Sequence, residues 1–445
     1  MPANWLGGLY RAGLVALLLF GMQGCATYSS SFGVIENNLI TKQYDVALKN
    51  LDKQKDDKKE HVLYLLNKGM IERMKRDYSA SNASFEAAKK EMDSLYAASV
   101  SENALSVMVN DSTVSYSGDS YERIMLHLYM ALNYLELNDP GSARVEVLQI
   151  DEDMREFAEK SADKKKIEDA FALYLGGMIF EELGENSDAM ISYRNAYNVY
   201  KKYQSDYGMA MPNELKSDLL RMAKRNGLND EYRRYKAEFG MDVPAGNGAD
   251  QGSLVFIFNN GLAPIKREKA INSMDPKSGT MVRIALPYYE SRKNAAMAAR
   301  VTVNSLQRNT ELVENIDAVA KKNLDIHMPA IIARSVARMV VKAAANNRAK
   351  ELARNNNNKD DQLLGMFGAL ALQVATVVTE RADTRSWLTL PGNIQMASMM
   401  LAPGSYSMKV EVLGPGMQVL AAQDYPNIVV RKGHMTFVTQ HYVTN

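Results

Sequence analysis

Apolar residues in the first half of the chain recur every three to four positions, and they do so in paired runs. In "AFALYLGGMIFEELGENSDAMISYRNAY", residues 170 to 197, one apolar run stops near a glycine and a second starts after a polar stretch. This spacing predicts two amphipathic helices joined by a tight turn. "VLYLLNKGMIERMKRDYSASNASFEAA" and "IMLHLYMALNYLELNDPGSARVEVLQI" repeat the arrangement. "ITKQYDVALKNLDK" matches its second half alone, and "NELKSDLLRMAKRNGLNDEYRRYKAEFG" a more polar version. After the Gly/Pro/Asp-rich break "GMDVPAGNGADQG" the pattern changes to short β-rich runs. "SLVFIFNNG", "TMVRIALPYYE", "AARVTVNSL", "IQMASMML", "GSYSMKVEVL", "MQVLAAQDY", "NIVVRKG" and "MTFVTQHYV" predict strands, with turns at "APG", "GPG" and "RKG".

The paired helical units resemble tetratricopeptide repeats, two antiparallel helices in about 34 residues. In the clearest unit Gly177 supplies the small residue of the first helix, Phe180 its large apolar residue and Gly184 the turn. Ala189, Tyr193 and Ala196 supply the packing series of the second helix. Ala131, Tyr134 and Ala143 align on these positions in one unit, and Gly69, Ser81, Phe85 and Ala88 in another that lacks the turn glycine. Such arrays bind partners on the concave face, lined by the first helix of each pair. By alignment that face carries Leu66, Met70 and Arg73, then Leu128 and Leu132, then Tyr174, Met178 and Glu181. An apolar groove with charged edges suits a partner helix or peptide. The same positions would equally suit packing against another part of the chain.

The predicted fold class is α+β: an N-terminal all-α tetratricopeptide-like solenoid, then a small antiparallel β domain with an inserted helical hairpin. The predicted division is 1–24 signal peptide, 25–32 lipidated tether, 33–240 repeat domain, 241–252 linker, and 253–445 a β-sandwich-like domain with a helical insert at about 315–382. In the insert, Arg334, Arg338 and Lys342 recur at i, i+4 as a basic stripe, read as a solvated face or a contact for anionic headgroups. Residues 363–379 are almost wholly apolar and sit at the lower length limit for a membrane span. A buried hairpin arm is the preferred reading. In "ADTRSWLTLPGNIQ", Asp383 and Arg385 are expected to form a buried pair clamping helix to sheet.

The N-terminus has its own grammar. Arg11, the apolar run "AGLVALLLF" and the small residues before Cys25 read as a secretion signal. "MQGC" resembles the lipobox of bacterial lipoproteins, with Gly24 in place before the cysteine that becomes lipidated. Cys25 is the only cysteine of 445 residues, so no internal disulfide competes for it. Ala26 in place of Asp resembles the outer-membrane default of that family. "TYSSS" follows as a tether.

Composition narrows the function by exclusion. The net charge of +1 argues against a global nucleic-acid footprint. The five histidines fall at 61, 127, 327, 434 and 441, with no metal-ligand spacing, so no metal and no cofactor are expected. No G-x-S-x-G elbow, P-loop or H-E-x-x-H occurs, and no catalytic residues are assigned.

The lipobox, the interrupted array with "NDSTVSYSGDSYERIMLHLYMALNYL" and the later "ADTRSWLTLPGNIQ" together resemble an uncharacterised family of Gram-negative envelope lipoproteins. The resemblance implies an outer-membrane lipoprotein facing the periplasm, anchored by lipid (palmitate among its acyl chains), in a cell-wall or envelope-assembly context. The expected function is a scaffold or adaptor for a periplasmic or envelope protein partner. Two alternatives stand beside it. One is a structural subunit of an outer-membrane secretion or surface-assembly complex. The other is a carbohydrate-binding or cryptic hydrolase β domain, with a pocket near Trp387 or near Tyr288 and Tyr289.

Overall fold

The computed structural model describes residues 28–101, 111–160, 168–243, 250–274, 281–354 and 380–444. The signal peptide, Cys25 with the start of its tether, and residues 363–379 lie outside the described residues. After one turn at Tyr28–Ser31, ten helices follow as five consecutive pairs: α1 (Gly33–Ile40) with α2 (Tyr44–Leu51), α3 (His61–Met74) with α4 (Tyr78–Ser101), α5 (Ser120–Glu136) with α6 (Pro140–Lys160), α7 (Ala170–Glu182) with α8 (Asn186–Tyr207), and α9 (Asn213–Arg225) with α10 (Asn229–Phe239). Each helix packs on its pair mate, and the second helix of each pair packs on the first helix of the next, as expected of a stacked repeat array.

One device closes all five pairs. Two residues beyond the first helix a residue turns left-handed: Lys42, Arg76, Asn138, Gly184 and Gly227. Around it the same two backbone hydrogen bonds recur, as in Gly184 N to Glu181 O and Glu185 N to Phe180 O. These are Schellman caps, which reverse the chain in the fewest residues. Packing within pairs is equally repetitive. A Cβ on Gly69 would sit 2.5 Å from the Phe85 ring, and one on Gly177 would sit 2.3 Å from the Tyr193 ring. The small residues at these crossings are therefore steric requirements.

Among the described residues ten strands follow, interrupted by one long helix. β1 (Gly252–Asn260), β6 (Glu311–Glu314), β7 (Asn393–Leu401) and β10 (Met435–Tyr442) form a sheet in the order β10-β1-β7-β6. β4 (Ala298–Val303), β5 (Leu306–Asn309), β8 (Gly404–Leu413) and β9 (Val419–Val430) form a second, in the order β5-β4-β8-β9. β2 (Ile265–Met274) and β3 (Met281–Glu290) pair alone. The two larger sheets face each other across Leu254, Phe256, Val301, Met399 and Val410. The opposite face of β1 and β7, with Val255, Ile257, Ile394 and Met396, joins the core of the helices. The order of layers is thus helices, first sheet, second sheet. Burial on both faces explains why β1 is apolar at successive positions rather than at alternate ones.

Three expectations change. The β part is not wholly antiparallel, because β10 runs parallel to β1. No hairpin links these two strands, so no turn sets their direction, and the whole intervening β segment serves as the crossover. The runs "MQVLAAQDY" and "NIVVRKG" form one strand, β9, which passes through Pro426. It pairs only with β8, and an edge strand tolerates the missing N–H. The described part of the helical insert is one long helix, α11 (Ile316–Arg354). Its Arg338 is neither solvated nor facing lipid. It is buried, 3.2 Å from Glu380 Oε1, because the chain returning from the insert packs against it. Among the described residues, no helix is long and apolar enough to cross a membrane.

Candidate partner-binding cleft

The predicted groove is filled. Leu66, Met70, Leu128, Leu132, Tyr174, Met178, Arg73 and Glu181 are all buried, and none lines an open concave face. The occupant of most of that face is the chain itself. Arg73 Nη2 donates to Thr439 Oγ1 of β10 at 2.9 Å, and Nη1 donates to Asn133. Its guanidinium lies over the rings of Tyr78 and Tyr129. Tyr129 in turn donates to Asn259 of β1 at 2.8 Å. Tyr174 and Glu181 face α9 instead: Tyr174 donates to Asp218 at 2.7 Å, and Glu181 accepts from Arg221 and Tyr193. These two residues therefore join one repeat to the next.

The two distinctive sequence segments meet in this filled region. Asp119 precedes α5, where Glu122 folds back to accept from the Asp119 N–H at 3.1 Å, closing a capping box. Glu122 also accepts from Tyr116 at 2.5 Å and from the Trp387 backbone N–H at 2.7 Å. Burial, then the neighbouring Asp119 carboxylate, pushes the Glu122 carboxyl up to about 7. Lys266 from β2 pairs with Asp119 at 2.7 Å, and Tyr289 from β3 reaches the same oxygen at 3.3 Å. Trp387 is fully buried, with the rings of Phe85 and Tyr129 edge-on to it at 5.6 and 6.2 Å. Arg385 is held by Asp383 at 2.7 and 2.9 Å. Its other amine ties two backbone carbonyls of the repeat region, Lys59 O at 3.1 Å and Val114 O at 2.8 Å. The Asp–Arg pair therefore clamps the array to the strand segment. With Trp387 and Tyr289 both buried, neither offers a sugar-stacking surface. Tyr288 is exposed on β3.

The open part of this α/β junction lies farther along, at the repeat turns. A cleft of about 710 Å³ runs between the turn tips at Arg76, Asn138 and Glu182 and the strands β9 and β10. Its β10 wall is a sheet edge, and carboxylates cap two of its peptide groups. Glu182 accepts from the Met435 N–H at 2.5 Å, and Glu136 accepts from the Thr439 N–H at 2.6 Å. Such capping blocks the unlimited strand addition that a bare edge invites. Phe437, between them on the same edge strand, is buried and also lines the cleft. Arg76 stacks on Tyr425 at 4.7 Å, and neither Arg76 nor Arg431 has a carboxylate partner among the described residues. A left-handed Asn427 interrupts β9 where it lines the opening. No sequence pattern marked this cleft, because its lining comes from turn tips and strand edges rather than from one helix face. Among the described residues no three potential metal ligands cluster.

No protein-family model matches the chain, and no curated protein matches it. Solved structures similar to it include MamA, at 12% identity and TM-score 0.30 over 46% of this chain and 91% of that one. A second form, MamA 41-end from Desulfovibrio magneticus RS-1, gives 13% identity and the same TM-score over 47% and 89%. A tetratricopeptide repeat protein from Parabacteroides merdae gives 14% and 0.30 over 48% and 68%. The repeat assignment rests on the five helix pairs and their recurring caps rather than on these likenesses.

Proposed function

We propose that this protein is a non-catalytic, lipid-anchored scaffold of the Gram-negative envelope. In this reading Cys25 carries the anchor, the folded part faces the periplasm from the outer membrane, and a protein partner binds in the cleft. The observation that carries the reading is the cleft itself. It is a part of the α/β junction that the chain leaves unfilled. Among the described residues its lining offers two guanidinium groups without a carboxylate partner, Arg76 and Arg431, the rings of Tyr78 and Tyr425, and the edge strand β10. These elements suit an extended segment of a partner, which would add main-chain hydrogen bonds to side-chain contacts. The setting in cell-wall or envelope assembly comes from the family resemblance.

Site-specific photocrosslinking in living cells tests it. A crosslinking residue at Asn427 or Arg431 is expected to capture one defined envelope protein. The same residue at Leu306, exposed on β5 at the edge of the second sheet opposite β9, is expected to capture none. Equal capture from all three positions would overturn the cleft as the binding site. Cys25→Ser is expected to release the protein from the membrane fraction, and retention there would overturn the anchor. One observation favours the alternative of a subunit in a larger assembly: α11 exposes Ile332, Val336 and Val340 at i, i+4 spacing. A crosslinker at Val340 that captures a stoichiometric neighbour would support that alternative.

A further inference from the structure

One helix touches both edge strands of the first sheet. α7 has 13 residues and is about 20 Å long. The edge strands β10 and β6 stand three strand spacings apart, about 14 Å. At the C-terminal end of α7, Glu182 accepts from the Met435 N–H of β10 at 2.5 Å and bonds the His434 ring at 2.7 Å. At the N-terminal end Asp169 lies against Glu314 of β6, and the two carboxyls share a hydrogen bond. Both residues are buried, only 2% and 0% exposed. Asp169 also accepts from the Ala172 N–H at 2.7 Å, the N-cap bond of α7. Glu314 Oε1 accepts from the Asn315 N–H at 2.8 Å, while its Oε2 is buried without an N–H or O–H donor in hydrogen-bond geometry. Among the described residues, the titratable groups that act on the pair bring no positive charge. From α8 come the phenols of Tyr200, Tyr203 and Tyr207, and from α5 that of Tyr129. β7 places Ile394 opposite Glu314. Lysines on the neighbouring helices are matched elsewhere, Lys202 of α8 with Glu168 at 2.5 Å and Lys322 of α11 with Asp206 at 3.6 Å.

Two touching carboxyls without a cation cannot both carry charge out of water, so this contact exists only while one of them holds a proton. We propose that α7 is a proton-held strap on the first sheet: a proton shared by Asp169 and Glu314 fastens its N-terminal end to β6, and loss of that proton frees this end and slackens the hold of Glu182 on the β10 edge. On release the proton passes to water and the two carboxylates separate into it. The helix links the two events, because its internal hydrogen bonds make it move as one body. Burial, then the Asp169 carboxylate, holds the Glu314 carboxyl well above the usual range, and burial raises that of Asp169 to about 6. Once exposed, both groups titrate near about 4. The contact is therefore at full strength at low pH and weakens as pH rises through the raised values. The strap is a property of the fold and does not depend on a partner in the cleft.

Hydrogen exchange on the full chain tests this, read as protection factors so that the intrinsic pH dependence of exchange drops out. The amides of Ala172 and Leu173, both bonded to Asp169, report one end of the strap, and that of Met435, bonded to Glu182, reports the other. Between pH 5.5 and pH 8 protection at all three is expected to fall about tenfold or more. The fall should exceed that in the middle of α5 at least threefold, because the opening is local. Glu314→Gln keeps a donor to Asp169 that needs no shared proton. Asp169→Asn keeps an N-cap acceptor and can donate to Glu314. Each variant is expected to abolish the excess fall at both ends, and Glu122→Gln is expected to leave it in place. Should one of the first two variants fail to fold, the other decides. Equal falls in α5 and at the ends of α7, or an excess fall retained in either variant, would overturn the proposal. A fall at Ala172 and Leu173 without one at Met435 would also overturn it, because α7 would then fray at one end instead of moving as a strap.

Discussion

The α/β junction has two halves that differ in almost every physical respect. In the filled half Trp387, Asn67, Glu122 and Arg385 are buried, and nearly every polar atom has a partner. Asn67 shows how complete this is: its carbonyl accepts from Thr389 N and Oγ1 at 3.2 and 2.9 Å, while its amide donates to Tyr28 at 2.7 Å. In the open half the walls carry exposed Arg76, Asn427 and Arg431 around a cleft. The contrast teaches that the concave face of a repeat array is not automatically a binding face. Here the array spends most of it on its own C-terminal strands, and the turn edge stays open. Substitutions in the filled half should therefore act on stability, and those in the open half on binding.

Trp387→Ala gives the largest expected effect. Removing a fully buried indole from between Phe85 and Tyr129 leaves a cavity, with a cost of about 3–5 kcal/mol. Because the indole touches helices while its backbone continues toward β7, the loss should weaken helices and strands together. Urea unfolding followed by far-ultraviolet circular dichroism reads this. Arg431→Ala, in the open half, is expected to stay within about 0.5 kcal/mol of the parent. Equal losses in the two variants would erase the distinction between the halves.

The filled half should also respond to pH in a particular direction. Glu122 has its pKa raised from 4.5 to about 7, by burial first and by Asp119 second, and Lys266 only partly offsets this. Asp169, the N-cap of α7, is likewise raised to about 6, chiefly by burial. A raised acid holds its proton in the folded state over a range where the unfolded chain has released it. Stability from these groups is thus fully present below the unfolded pKa values near 4. It declines as pH rises toward 7 and is flat beyond. The melting temperature should fall between pH 5 and pH 7.5. Glu122→Gln keeps an acceptor for the Trp387 N–H and should flatten part of that slope. A melting temperature that rises across this window, or a slope unchanged in the variant, would contradict the assignment.

Much of the helical half was legible because its rules are local. Gly184 at a turn and Gly177 opposite Tyr193 follow from short-range spacing, and both positions serve as read. Where a residue broke the local rule, the reading failed. Arg76 takes the left-handed turn that a glycine was expected to mark. In the β half, β2 escaped notice because "IKREKAINSM" alternates charge rather than hydrophobicity, and β5 and β6 are too short to show a period. The parallel pairing of β1 with β10 joins segments far apart in sequence, which no window detects. The site was half legible for a related reason. The segments around Glu122 and Trp387 stand out individually, but their meeting is a tertiary fact. The residues aligned as a groove are buried instead, because periodicity marks a packed helix face and says nothing about what packs on it.

The smallest expected effect is the most discriminating, because it sets stability against binding at one residue. Arg76 and Lys42 both occupy left-handed turns, where a side chain costs about 1–2 kcal/mol relative to glycine. Lys42 lies away from the cleft, so Lys42→Gly should raise stability by up to about 1 kcal/mol and leave partner capture unchanged. Arg76→Gly gains the same relief but loses the stacking on Tyr425, worth about 0.5–1 kcal/mol at an exposed site. Its net stability should therefore rise by about 0.5 kcal/mol while crosslinked partner at Asn427 falls. A strained arginine that lowers stability and supports binding is the trade expected at a functional edge. If Arg76→Gly stabilises the protein and captures its partner as well as the parent does, the guanidinium has no part in the cleft. The open half would then be a gap between the array and the strands rather than a site.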